Sequence, residues 1–190
     1  MRTRTVSTWR EALEEARHSG ACVRIQRVHD DLLGTDALVA AVGRSWTLLV
    51  PIGEDIRLGG WVAVRLSDIA EVAVSPRDDF VRTALSLRGE LPLGEIPPVR
   101  LDSIRTLLAS FSRLSTLITV LTERDGPFAC AIGSVVEIGE RELVLREIDP
   151  CAEWAQGTTR IRFDAITRIE SGGAYEQALA LVAAARGHAG

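Results

Sequence analysis

The sequence predicts a mainly β protein with flanking helices (α+β), organised as two tandem small five-stranded barrels, each with an N-terminal helix and a short C-terminal helix. Three observations predict this: a segment order that occurs twice, β-rich runs that alternate with period two, and a Pro- and Gly-rich stretch between the two occurrences. "TTRIRFDAITRI", residues 158–169, follows the same order of apolar and charged residues as "WVAVRLSDIAEV", residues 61–72. Gly60 and Gly157 stand 97 positions apart (157 minus 60), and the pairs Val64/Ile161, Arg65/Arg162, Leu66/Phe163, Ile69/Ile166 and Val72/Ile169 keep that spacing. Upstream, "VAAVGRSWTLLVPI" aligns with "VVEIGERELVLREI" at a spacing of 96 (139 minus 43). Downstream, Phe80 and Leu85 answer Tyr175 and Leu179.

Each occurrence opens with a helical pattern. Trp9, Ala12, Leu13 and Ala16 fall at i, i+3, i+4 and i+7, with Thr8 and Glu11 spaced as a capping box and Gly20 as the stop. Ile104, Leu107, Leu108 and Phe111 repeat the spacing behind Asp102, the expected N-cap. Five β-rich runs follow each helix. In "TTRIRF", Ile161 and Phe163 point one way while Arg160 and Arg162 point the other. Short helices close the units, with expected apolar stripes Phe80, Ala84 and Leu87 in one and Tyr175, Ala178, Leu179 and Val182 in the other. Between them, "RGELPLGEIPPVR" holds three prolines and two glycines, which cannot continue a helix or a central strand. The expected division is residues 1–88, a linker at 89–100, and residues 101–190. Five short strands leave two unpaired edges unless the sheet closes, so a small barrel is the expected form of each unit.

Composition excludes several classes. Of 190 residues, 46% are apolar and 25% charged, as in ordinary globular chains. The longest apolar run, "ALALVAAA", is far short of the roughly 20 residues that cross a bilayer. The N-terminal stretch lacks the continuous apolar region of a secretory signal, so a cytoplasmic location is expected. All 22 basic residues are arginine, and lysine and asparagine are absent, as expected of a GC-rich coding genome. Residues 1–88 balance 12 Arg against 12 acids and residues 89–190 set 10 Arg against 14, so neither half is a basic nucleic-acid module. Cys22, Cys130 and Cys151 form no CxxC pair and are expected to be reduced and mostly buried.

Ile69 to Val72 and Ile166 to Ile169, each spaced by three, interrupt strand alternation and predict a one-turn 3₁₀ connection between the fourth and fifth strands. With the preceding helix and five strands, this order resembles the Sm-like proteins among the SH3-like barrels, over residues 8–88 and 101–185. The chain is thus identified as an internally duplicated bacterial Sm-like protein. The resemblance implies RNA binding through two loops, one bearing Asp and Asn after the second strand and one bearing Arg-Gly after the fourth. The corresponding stretches "GRS" (43–45) and "GER" (139–141) hold neither Asp nor Asn. In "LSD" (66–68) and "FDA" (163–165), Ser67 and Asp164 replace the basic residue. The RNA site does not carry over.

No GxSxG, HExxH, GxxxxGK[ST] or GxGxxG pattern occurs, so no catalytic residue, metal ligand or cofactor is assigned. "VHDD" sets His29 beside Asp30 and Asp31 as metal ligands, an acid–base pair, or simply a polar turn. His18 suits the last turn of the first helix, and His188 lies in the tail. Trp154 in "EIDPCAEWAQG" reads as a partner anchor or as a cap on one end of a barrel, while Asp149 and Glu153 argue against a reactive Cys151. Gly59-Gly60 and Gly172-Gly173 suit anion-binding nests or, more commonly, tight turns. The leading expectation is a non-enzymatic interaction or scaffold protein, with protein partners, either itself or another, meeting at edge strands. The alternatives are nucleic-acid binding through a non-standard surface using Arg65, Arg160 and Arg162, and a small-molecule or enzymatic site between the two units.

Overall fold

The computed structural model describes residues 6–29, 34–124, 126 and 129–187. Among the described residues, the period-two runs form ten strands and the 3.6-period runs four helices. In chain order these are α1 (Val6–Ser19), β1 (Cys22–Arg27), β2 (Thr35–Val42), β3 (Trp46–Pro51), β4 (Trp61–Arg65), β5 (Ile69–Val74) and α2 (Asp78–Leu87). There follow α3 (Ile104–Leu114), β6 (Ile118–Leu121), β7 (Cys130–Ile138), β8 (Glu142–Glu147), β9 (Thr159–Arg162), β10 (Arg168–Ser171) and α4 (Ala174–Ala185).

The expectation of two closed barrels is overturned. All ten strands belong to one open antiparallel sheet, ordered β5-β1-β2-β3-β4-β10-β6-β7-β8-β9. The edge of β4 that barrel closure would keep inside its own unit is used by β10, which pairs antiparallel with it from Trp61↔Ser171 to Val64↔Arg168. β10 also pairs with β6, so the backbone ladder crosses from one half to the other without a break. The fold is therefore α+β and mainly β, with β5 and β9 as its two outer strands.

Within this sheet, corresponding positions adopt corresponding geometry. The β2–β3 register shifts between Val39 and Ala41, and the β7–β8 register shifts between Val135 and Glu137. Beyond the strands, Ile52 bridges Leu58, and Ile148 bridges Trp154. A 3₁₀ turn, Leu66–Asp68, joins β4 to β5 as expected. Its counterpart is a hydrogen-bonded turn, Ala165 N–H donating to Arg162 O at 3.1 Å, after which β10 starts only at Arg168.

The two faces of the sheet have different character across the joint. On one, Ala41, Leu48, Ala63, Ile169, Val120 and Ala131 lie opposite one another on six successive strands and belong to a single apolar cluster. α3 covers it with Leu107, Leu108 and Phe111, all 0% exposed, so one core serves both halves. The adjacent row runs Val39, Leu49, Val62, Glu170, Thr119 and Ile132, and turns polar at the joint. α1 packs Trp9, Leu13 and Ala16 over the apolar part of this face, beside Ile25, Ala37 and Val64. α4 packs Leu179 and Ala183 over Ile148 and Trp154 at its far end.

Several local expectations are corrected. α1 already includes Thr8, and α3 is capped by Ser103, whose Oγ accepts from Thr106 N at 3.3 Å, one residue after Asp102. The stripes of the two closing helices are phased differently. Phe80 and Leu87 are exposed while Val81 and Leu85 are buried, and Tyr175 and Val182 are exposed while Glu176, Leu179 and Ala183 are buried. α4 is apolar nearly all round, so periodicity alone could not fix its buried side. Residues 90–103 hold no helix or strand, yet they are fastened to the first half. Glu90 accepts from Leu58 N at 3.0 Å, and Leu101, 6% exposed, accepts from Trp46 N at 3.2 Å.

Gly60 shows how tightly the halves meet. A Cβ there would stand 2.4 Å from Gly173 N and 2.4 Å from Ser171 O, both backbone atoms that cannot swing aside, whereas at Gly157 it would meet nothing within 4 Å. Gly60→Ala is therefore expected to destabilise by about 1–3 kcal/mol or more, as overpacking does. Gly157→Ala is expected to stay within about 0.5 kcal/mol. Denaturant midpoints of the two variants check this, and equal effects would contradict the close joint.

Candidate functional site at the joint between the halves

Ionisable side chains gather where the halves meet. Arg27, at the end of β1, and Glu123, just after β6, are 4% and 5% exposed and form a two-pronged ion pair at 2.8 and 2.6 Å. Thr167 Oγ1 approaches Glu123 Oε2 at 2.6 Å. These partners outweigh burial and hold the Glu123 carboxyl below its usual range. Asp68, in the 3₁₀ turn, accepts from Arg124 at 3.1 Å, and Arg124 also donates to Asp164 O at 3.3 Å. Arg65 donates to Phe163 O and lies 5.1 Å from the Trp46 ring centroid, and burial disfavours its charge. Three of these contacts, Arg27–Glu123, Arg124–Asp68 and Arg65–Phe163, join residues from the two sequence repeats, while Thr167–Glu123 and Arg124–Asp164 lie within the second.

A second buried carboxylate braces the first half. Asp36 Oδ1 accepts from Arg24 at 2.8 Å and Oδ2 from Arg77 at 2.8 Å. Although burial opposes its charge, the two guanidiniums hold its carboxyl below the usual carboxylate range.

The arginines expected to meet a partner do not form one site. Arg65 lies in the joint, whereas Arg160 and Arg162 lie on the outer strand β9. Arg160 pairs with Glu142, and Arg162 with Asp164 at 2.8 Å, where it holds that carboxyl below its usual range. Trp154 is 8% exposed, clustered with α4 and 5.2 Å from Arg146 Cζ, so its ring faces the interior. His29 Nε2 lies 3.8 Å from Asp68 Oδ2, and neither atom has a hydrogen-bond partner among the described residues, outside which Asp30, Asp31 and His188 lie. His18 Nδ1 lies 2.6 Å from Glu14 O. Among the described residues, no cluster of three His, Cys, Asp or Glu side chains could hold a metal ion.

Of the cysteines only Cys22 is buried, and burial pushes its thiol up to about 11; Cys130 and Cys151 are exposed, contrary to expectation. Of the glycine pairs, Gly172 has φ of 73°, as a tight turn requires, and Gly60 serves close approach. The Arg27–Glu123 pair escaped sequence reasoning, although a signal was present: the two occupy corresponding positions, 96 apart, with opposite charge. Asp68–Arg124 carried no such signal, since their counterparts are Ala165 and Val28.

Removing one member of a buried pair leaves the other charge uncompensated, while removing both removes the desolvation cost as well. Arg27→Met alone is expected to cost about 3–5 kcal/mol, and Arg27→Met with Glu123→Met far less than the sum of the two single changes. Asp36 and Glu123 have folded values below their unfolded ones of about 3.9 and 4.3. Their stabilisation is thus fully present above about pH 4.3 and is lost as pH falls through the folded values. Thermal melts at descending pH are expected to show this acid-side loss, diminished in the double variant; a double variant with an undiminished loss would exclude Glu123 as a contributor. Compared with known proteins, the chain matches no family model, no curated protein and no solved structure.

Proposed function

We propose that the chain is an internally duplicated bacterial protein with Sm-like kinship, acting without catalysis as a cytoplasmic interaction or scaffold protein whose partner is a second copy of itself. One observation carries this reading. The fourth strand of the first half, β4, pairs with the fifth strand of the second, β10, while the strands at the complementary positions, β9 and β5, end the sheet. An unpaired edge presents a row of N–H and C=O groups to any strand that can reach it. Transferring the β4–β10 register to the free edges, by the 97-residue spacing, sets Val72 of one copy opposite Arg160 of the next and Val74 opposite Thr158. Val74 is 62% exposed on that edge, apolar surface that pairing would cover. Because the two edges differ, copies add head to tail, into a ring if the rotation closes and a filament if it does not.

Nucleic-acid binding has less support. Arg160 and Arg162 have acidic partners, Arg65 is engaged in the joint, and the net charge is −4. Size exclusion with light scattering tests self-association. The unaltered chain is expected to form oligomers, and Val74→Lys to dissociate them without lowering the melting temperature, because a lysine on an edge strand opposes pairing. A monomer at the highest attainable concentration would remove the reading. Co-purified nucleic acid, seen in the 260/280 nm absorbance ratio and released steeply by salt, would favour the alternative.

A further inference from the structure

On the face of the sheet opposite the shared core, five strands around the joint enclose a cavity of about 220 Å³. Ile25, Ala37, Leu49 and Val64, from β1 to β4, give it apolar walls, and Arg168 and Glu170 of β10 give it a charged one. Thr35 and Arg27 complete the polar end. The volume lies below the roughly 300–1,000 Å³ of pockets for drug-sized ligands, so it suits a molecule of a few heavy atoms.

The charges around it are unequally satisfied. Glu123 has Arg27 and Thr167 as hydrogen-bond partners. Glu176, from α4, accepts from Thr119 at 2.5 Å. Arg168 Nε forms an ion pair with Glu170 Oε1 at 2.8 Å, yet among the described residues neither this nitrogen nor the part-exposed Glu170 carboxylate takes part in an aligned hydrogen bond. Burial, the largest cause, and the charge of Glu176 raise the Glu170 carboxyl despite Arg168. A cation entering the cavity would bring the missing donor to Glu170. An anion would have to draw Arg168 away from Glu170, in the field of the Glu123 and Glu176 charges that already act on that carboxyl.

We propose that this cavity binds a small amphipathic cation, a short aliphatic ammonium, whose nitrogen donates to Glu170 while Ile25, Ala37, Leu49 and Val64 cover its chain. The site is independent of the sheet edges, so it stands or falls separately from self-association.

Isothermal titration calorimetry on the full chain with n-pentylammonium, 1-pentanol and pentanoate, three probes with one body, tests the assignment. Pentylammonium is expected to bind about tenfold or more tightly than pentanol, the worth of one charge-assisted hydrogen bond, and pentanoate not to bind. Glu170→Gln is expected to abolish the preference for ammonium over alcohol while the protein still melts cooperatively. If that variant fails to fold, Glu170→Asp, which withdraws the carboxylate by one methylene, is expected to weaken the ammonium alone. Ala37→Leu, which adds bulk to the apolar wall, is expected to weaken ammonium and alcohol alike. Absence of pentylammonium binding, a preference for pentanoate, equal binding of pentanol, or ammonium affinity unchanged by substitution at Glu170 would each overturn the proposal.

Discussion

The pairing of β4 with β10 is the constraint on which the rest depends. It turns two five-stranded runs into one ladder, and because opposite residues on neighbouring strands share a face, it also decides which apolar rows become continuous. Ala63 meets Ile169 and so links the β2–β3 side chains to those of β6 and β7 under α3. Val62 meets Glu170, and the neighbouring row turns polar where the halves join. The core, the polar seam and the small cavity are consequences of one register.

That register needs close backbone approach and charge matching at its ends. Gly60 supplies the first, since no side chain fits between it and the Ser171–Gly173 backbone. Arg27 with Glu123 and Arg124 with Asp68 supply the second. The buried Arg27–Glu123 pair contributes modestly to net stability, but an unpaired member is costly, so it penalises any register that separates the two. Glu170 is ion-paired with Arg168 but, among the described residues, receives no aligned hydrogen bond. The segment between α2 and α3 closes the arrangement by bonding to the turns of the first half.

Much of the architecture was legible in the chain. Period-two alternation located the strands, the i, i+3, i+4, i+7 spacing located α1 and α3, and the 97-residue spacing paired Ile69 with Ile166, both buried directly after the turn that follows the fourth strand of each half. Where the pattern was ambiguous it misled: α4 is apolar nearly all round, and Phe80 and Leu87 point outward. Of the residues expected to meet partners, Trp154 proved interior and Arg65 internal to the joint. Arg160 and Arg162 remained at the surface but paired with acids.

By itself the sequence determined the kind and order of elements, because hydrophobic period, glycine stops and proline breaks act over a few residues at a time. It also determined that two similar halves would each present edge strands. Only the tertiary structure decided how those edges are used, because strand pairing between residues about a hundred positions apart depends on backbone hydrogen bonds that any residue but proline can make. Closure into barrels and continuation into one sheet satisfy the same local pattern. Register, close approach at Gly60 and the cross-joint ion pairs select the second, and with it the placing of Glu170 beside an apolar hollow.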